Sequence, residues 1–355
     1  MKNEFRLTQY AAIDCVKFLC AVLIINSHYI SENAVGRISK YIDYASSLYI
    51  IVVPFFFVCS GFFLFHKIYM NTDNKGVIVK KYLIRILKLY LAWSAIYVTF
   101  KLLKFFRFGT TTTEVLSYVK TVIVYSTYNT IWFLPALCIG VIIVYFLNNH
   151  FDIYKIVGIG IIIYTIGALG ASYNFLLNEA PALKSAYGMY ILIFETTRNG
   201  LFNGFPFVAI GALIAKETIV NTNHNSTLRN IVLMIVFGFG FVLEAFIIKI
   251  HFSAENANTI LLLLPFTYFF VKACLDIKLQ SSKLLVWMRK MSMTMFLCQR
   301  LFLSALPELL PNSFFNTILK GNPYIGLLYI LTITMICSEI IITFSGKNKI
   351  IKMLC

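Results

Sequence analysis

Three residues near the start of the chain have the types and spacing to do chemistry. They are Asp14, Lys17 and His28, within the stretch DCVKFLCAVLIINSHYI (14–30). Imidazole, with an unperturbed pKa of ~6.5, is the side chain suited to moving a proton near neutral pH, and lysine offers a fixed positive charge to an anion. If the stretch is helical, eleven steps of ~100° bring the direction at His28 back to within ~20° of that at Lys17. Asp14 falls ~60° from Lys17, so the three share one face. At ~1.5 Å per residue, Lys17 and His28 stand roughly 16 Å apart, two polar stations with Ala21 and Ile24 between them. Asp14 lies roughly 21 Å from His28 and cannot orient its ring, so any partner of His28 must come from another helix. Ionisable groups on a membrane helix are costly unless they face protein or a wet cavity, which makes the stripe a functional candidate. The plainer alternative is that Asp14 and Lys17 pair at one interface while His28 sits in the opposite headgroup layer.

The elements that must position these residues are membrane helices. Of the 355 residues 59% are hydrophobic and 13% charged, and the mean hydropathy is +0.79, which excludes an ordinary soluble enzyme. The formal charge of +16 is read as cytoplasmic-loop lysine and arginine, not as a nucleic-acid surface. The eight cysteines show no C-x-x-C or metal-ligand spacing, so neither disulfides nor a metal are expected. The first apolar run leads into His-Tyr-Ile-Ser-Glu, not a small-x-small cleavage site, so no cleavable signal peptide is expected.

Apolar runs predict an all-α bundle of about ten spans, near 13–30, 47–65, 82–100, 130–147, 153–170, 200–215, 231–250, 259–275, 291–306 and 324–344. The sixth is short, and 186–199 before it has the character of a segment lying in, or re-entering, the membrane. With the N-terminus inside, lysine and arginine favour the inner loops by roughly two to one, which puts both termini in the cytoplasm. No linker, soluble domain or internal repeat interrupts residues 1–355, which read as a single membrane domain. The second span carries Pro54 and Ser60-Gly61, read as kinked, close packing. Lys80, Lys81, Arg85 and Lys88 enter the third span from the cytoplasm, with Lys81, Arg85 and Lys88 on one helical face. Such a cluster either anchors the span by snorkelling or holds an anionic phosphate. Trp132 and Pro135 open the fourth span, and Glu195-Thr-Thr-Arg198-Asn199 gathers polar residues at a membrane edge. His28 is the only histidine placed inside a span. Glu244, Lys249, Lys272, Arg300 and Glu339 are further charges in apolar surroundings.

Taken together, Asp14-x-x-Lys17-x(10)-His28, PFFFVCSGFFLF, KKYLIRILKLYLAW, IWFLPAL, TRNGLFNGFPFVAIGALIAK and Ser292-MTMFLCQ resemble the acyltransferase 3 family. Its members are integral membrane enzymes that O-acylate envelope glycans, and the likeness extends to the membrane portion of vancomycin-resistance-type serine racemases. The resemblance implies a cytoplasmic acyl-CoA donor, with acetyl-CoA the expected one, and an envelope glycan acceptor at the outer side of the bacterial cytoplasmic membrane. It casts His28 as the catalytic histidine; with it, Lys17, Lys81, Arg85 and Lys88 are the expected donor-phosphate contacts, and Trp132, Glu195, Arg198 and Asn199 the candidates for lining the outer cavity. Membrane lipid is the expected surrounding partner. Three positions depart from the family pattern: Lys17 replaces an arginine, Tyr82 stands where the first arginine of Arg-x-x-Arg belongs, and Gln299 replaces a frequent histidine. Two other readings stay open from the residues alone, a transporter of a glycan or lipid precursor and a non-catalytic membrane module.

Overall fold

The computed structural model describes residues 10–33, 46–220, 227–252, 259–280, 282–349 and 351–355. Lys2, Arg6, Arg37 and Lys40, which entered the expected orientation, lie outside the described residues. Among the described residues the regular structure is all helical, without strands. In chain order the helices are α1 (Ala11–Asn33), α2 (Val52–Met70), α3 (Lys75–Phe108), α4 (Thr112–Val124), α5 (Phe133–Leu147), α6 (Ile153–Leu169) and α7 (Pro181–Phe194). There follow α8 (Phe205–Val220), α9 (Thr227–Phe252), α10 (Leu263–Asp276), α11 (Lys283–Arg300), α12 (Phe314–Lys320) and α13 (Pro323–Ser345).

They fold as two compact units. The first takes Met1–Val52, Lys88–Trp132 and Leu279–Cys355, and the second Val53–Leu87 and Phe133–Lys278. Ala21, Ile25 and Tyr29 of α1 form a core in the first unit with Met291 and Met295 of α11, Leu319 of α12 and Ile330 of α13. The Tyr29 hydroxyl donates to the Leu319 carbonyl at 3.0 Å, and Gly326 gives its ring room to do so. In the second unit small residues let backbones touch: a Cβ on Gly61 of α2 would stand 2.6 Å from the Val208 carbonyl oxygen of α8.

Six helical segments have the length and composition to cross a membrane: Ala11–Glu32, Tyr49–Met70, Thr72–Phe108, Gly200–Val220, Thr227–Ile250 and Pro323–Ser345. The count is seven if Lys283–Leu309 and Phe314–Lys320, bent by 117°, form one span. Of the other expected spans, α5, α6 and α10 have 15, 17 and 14 residues. The stretch 186–199 is resolved into the end of α7 and the turn after it. At 34 residues α3 is roughly 51 Å long, well beyond a ~30 Å hydrocarbon core.

Pro54 is the third residue of α2, where the 3-10 turn Ser46–Ile51 passes into the α-helix inside the candidate span Tyr49–Met70. One local reading is corrected. His66 lies inside the α2 segment, so His28 is not the only histidine on a candidate span.

Helix α4 falls between the expected spans, although Thr111-x-x-Glu114 is a capping-box signature. The Thr111 hydroxyl accepts the Glu114 N–H at 3.2 Å, and Glu114 accepts the Thr111 N–H at 2.9 Å. That backbone bond, with help from the Thr110 hydroxyl, holds the Glu114 carboxyl below its ordinary range. Lys120 on this helix falls in the segment that the expected orientation would put outside, and it softens the charge asymmetry.

Candidate functional site

The site is built on α1. Its apolar run ends at Ser31-Glu32-Asn33, where the Ser31 hydroxyl donates to the His28 carbonyl at 3.0 Å and closes the last turn. Asp14 is buried, whereas Lys17 and His28 are half-buried.

Helix α11 runs beside α1 in the same direction. Its side-chain pairs match start with start and end with end: Arg289 with Asp14 at 3.9 Å and Trp287 with Phe18 at 5.5 Å between rings near the first turns, Gln299 with His28 and Arg300 with Glu32 near the last. Asp14 therefore meets Arg289 in addition to the charge of Lys17 on its own helix. Between the two stations, Ala21 and Ile25 pack with Met291 and Met295, so the α11 side of the stripe is apolar in its middle.

His28 obtains its partner from 271 residues away: its Nδ1 lies 3.1 Å from Gln299 Oε1. Gln299 is fully buried, and its Nε2 donates to the Phe296 carbonyl at 3.1 Å. Next to it, Arg300 is buried, pairs with Glu32 and donates from Nε to the Thr130 hydroxyl at 2.9 Å. Beyond Arg300 the helix widens over Leu301–Ala305, with the Leu306 N–H reaching back to the Leu301 carbonyl. Pro307 accounts for this, because a proline ring clashes with the carbonyl four residues before it. The same device precedes Pro206, where Gly200–Gly204 widens and the Phe205 N–H bonds to the Gly200 carbonyl.

The basic cluster on α3 is exposed: Lys81, Arg85 and Lys88 share the outward face, and Arg85 lies 5.8 Å from the centre of the Tyr82 ring. Tyr82 is hydrogen-bonded to Ser60 of α2. Lys17, Lys88, His28 and Trp132 belong to the first unit, and Lys81, Arg85, Glu195, Arg198 and Asn199 to the second. Trp132 is buried and stacks on Tyr125 at 6.1 Å, which is core packing and not an interfacial anchor.

Asn199 is a helix cap. Its Oδ1 accepts the N–H groups of Leu201 and Phe202 at 3.0 and 3.1 Å, and its Nδ2 donates to the Tyr190 hydroxyl at 2.6 Å. Glu195 ends α7 with φ at 62°, a left-handed conformation that costs a non-glycine residue roughly 1–2 kcal/mol. Of the remaining charges, Glu244 accepts from Tyr173 and from the N–H groups of Leu261 and Leu262, fixing the turn before α10. Lys272 pairs with Glu217 at 2.8 Å, and Glu339 accepts from Trp287 at 2.6 Å. All eight cysteines are free thiols. Among the described residues no three His, Cys, Asp or Glu side chains cluster as metal ligands.

Fold and site together define a multi-pass helical membrane protein with a histidine held on α1 by a buried amide from α11. Residues 10–344 match the acyltransferase 3 family model, described as an acyltransferase domain, and the chain belongs to this family. The chain is also similar to an amino-acid racemase of Enterococcus faecalis, 26% identical over 253 residues covering 71% of this chain and 34% of that protein. A serine/alanine racemase of Enterococcus gallinarum is 24% identical over 229 residues, 63% of this chain and 31% of the racemase. The chain thus spans about a third of the length of these relatives. No solved structure matches.

Proposed function

We propose that the protein moves an acetyl group from cytoplasmic acetyl-CoA to a hydroxyl of a cell-envelope glycan. The observation that carries this reading is His28, held on a membrane helix by Gln299 in a chain of the acyltransferase family. As the acceptor oxygen attacks the thioester carbonyl carbon, its proton passes to the imidazole. The C–S bond then breaks, and the imidazolium returns that proton to the departing thiolate. Lys17, Lys81, Arg85 and Lys88 are proposed to neutralise the donor phosphates, Arg85 by its planar fork and the lysines as point charges. Trp132, Glu195 and Arg198 are proposed to shape the acceptor side, and Asn199 acts there through the turn it caps. A transporter is the poorer reading, because the polar stripe of α1 is interrupted by packed apolar side chains. Racemisation, the activity in the relatives' names, is not carried over, since the likeness covers about a third of those chains.

The test is direct. Purified protein in lipid, given acetyl-CoA labelled in the acetyl group and extracted envelope glycan, should form alkali-labile acetyl ester on the glycan. Arg85→Ala should raise the donor KM in a salt-dependent manner. Hydrolysis without ester, or no consumption of donor, would count against the assignment.

The proposed topology has ten crossings with both termini in the cytoplasm. Helices α1 and α11 run parallel, so if both cross, the number of crossings from the start of α1 to the start of α11 is even. Five helices in that interval are long enough to cross, namely α1, α2, α3, α8 and α9. An odd number of shorter helices must then cross as well. Taking α5, α6 and α10 gives eight, and α11 and α13 complete ten, the short helices being accommodated by local thinning of the bilayer. Single cysteines introduced by Asn71→Cys and Lys278→Cys in a cysteine-free background should label only from the cytoplasmic side, and Asn312→Cys only from outside. Labelling of Asn71→Cys from outside would overturn the orientation and the placement of the donor.

A further inference from the structure

We infer that Gln299 is a positioning residue that fixes the tautomer of His28, holding the proton on Nδ1 and presenting Nε2 as the basic atom. The inference rests on the acyl-transfer reading for its consequence, but not for its geometry.

The geometry leaves one orientation for the buried amide. The Phe296 carbonyl can only accept, so the group that faces it at 3.1 Å must be the amide NH2. Gln299 Oε1 then faces His28, and an amide oxygen can only accept. At 3.1 Å the Nδ1 of the ring must be the donor. In neutral imidazole a protonated Nδ1 leaves the lone pair on Nε2, the nitrogen farther from the backbone. Reversing the amide would set its oxygen against the Phe296 carbonyl and leave a fully buried group unsatisfied, which costs roughly 1–3 kcal/mol. Neighbouring pairs hold the arrangement. Arg300, the next residue of α11, pairs with Glu32, which lies one turn beyond His28 on α1, so the two helices cannot slide without breaking both rungs. Gln299 is one of the three departures from the family pattern, and it supplies an acceptor that carries no charge.

Two substitutions separate this role from simple packing. Glutamate reproduces the amide: protonated, its O–H faces Phe296 and its carbonyl accepts from Nδ1–H, and ionised it still accepts. Methionine fills the same volume and accepts almost nothing. If Gln299 only packs, Gln299→Met should be well tolerated and Gln299→Glu should be the damaging change. If it sets the tautomer, the order reverses: Gln299→Met lowers kcat on the order of 10²-fold with donor KM unchanged, and Gln299→Glu stays near wild type. The tautomer is read independently from nitrogen-15 chemical shifts of histidine-labelled protein in lipid nanodiscs, with His28→Gln identifying the signal. A proton on Nδ1 of His28, with the Gln299→Glu over Gln299→Met order, is the expected result. A proton on Nε2, or equal kcat for the two variants, would overturn the inference. Absence of any transfer by wild-type protein would sink the functional reading while the nitrogen shifts still decide the tautomer.

Discussion

Replacing His28 with glutamine should abolish acyl transfer while leaving acetyl-CoA binding intact. Glutamine keeps a polar side chain at the station but has no titratable nitrogen, so it removes the proton acceptor and little else. The loss expected from deleting a positioned general base is roughly 10²–10⁴-fold in kcat. Donor affinity should hold because Lys17, its proposed contact on the same helix, lies roughly 16 Å away. Lys17→Ala should fail in the complementary way, raising the donor KM more than it lowers kcat. Lys17→Arg should stay active, since the guanidinium supplies the forked donor that the lysine lacks. The measurement is O-acetylation of envelope glycan in cells, paired with equilibrium binding of acetyl-CoA to each purified variant. Equal acetylation with wild type and His28→Gln would remove His28 from the mechanism.

The residues that chemistry requires were legible because they sit on one helix. A period of ~100° places Asp14, Lys17 and His28 on one face without any knowledge of the fold. Their partners were not legible, since Arg289, Gln299 and Arg300 come from a helix more than 250 residues later and no local spacing links them. Gln299 counted only as a departure until the fold showed what it touches. Span positions followed from hydropathy for long apolar helices such as α2, α9 and α13. The extent of α3, the separate α7 and the amphipathic α4 did not, because their ends are set by caps and tertiary contacts as much as by apolar content. Both widened turns were hidden for a related reason. A proline announces a disturbance, but whether the helix kinks, starts or widens depends on the carbonyl that the ring meets. Pro206 and Pro307 each follow a widened turn, whereas Pro54 falls in the first turn of α2.

Glu32→Ala should destabilise the protein more than the double substitution Glu32→Ala/Arg300→Met. Arg300 is 7% exposed and has two described polar anchors, the Glu32 carboxylate and the Thr130 hydroxyl. Removing Glu32 leaves a buried guanidinium hydrogen-bonded only to the neutral Thr130 hydroxyl, with Glu308 as its remaining charged neighbour. Losing one member of a buried pair costs about 3–5 kcal/mol, and here the lower end applies because the Glu32 side chain is 33% exposed and partly solvated already. Arg300→Met alone should cost less, since the carboxylate left behind can turn to water and methionine fills the apolar volume. Adding Arg300→Met to Glu32→Ala removes the stranded charge, so the second substitution should restore stability that the first took away. Unfolding of a membrane protein is often irreversible, so the comparison is made as the half-life of the folded state at fixed temperature in one detergent. A double variant less stable than Glu32→Ala would mean that Arg300 is held by more than Glu32. Transfer activity gives a second readout: if the pair keeps α1 and α11 in register, Glu32→Ala should also weaken the His28–Gln299 bond and lower kcat, and Glu32→Asp should recover part of both.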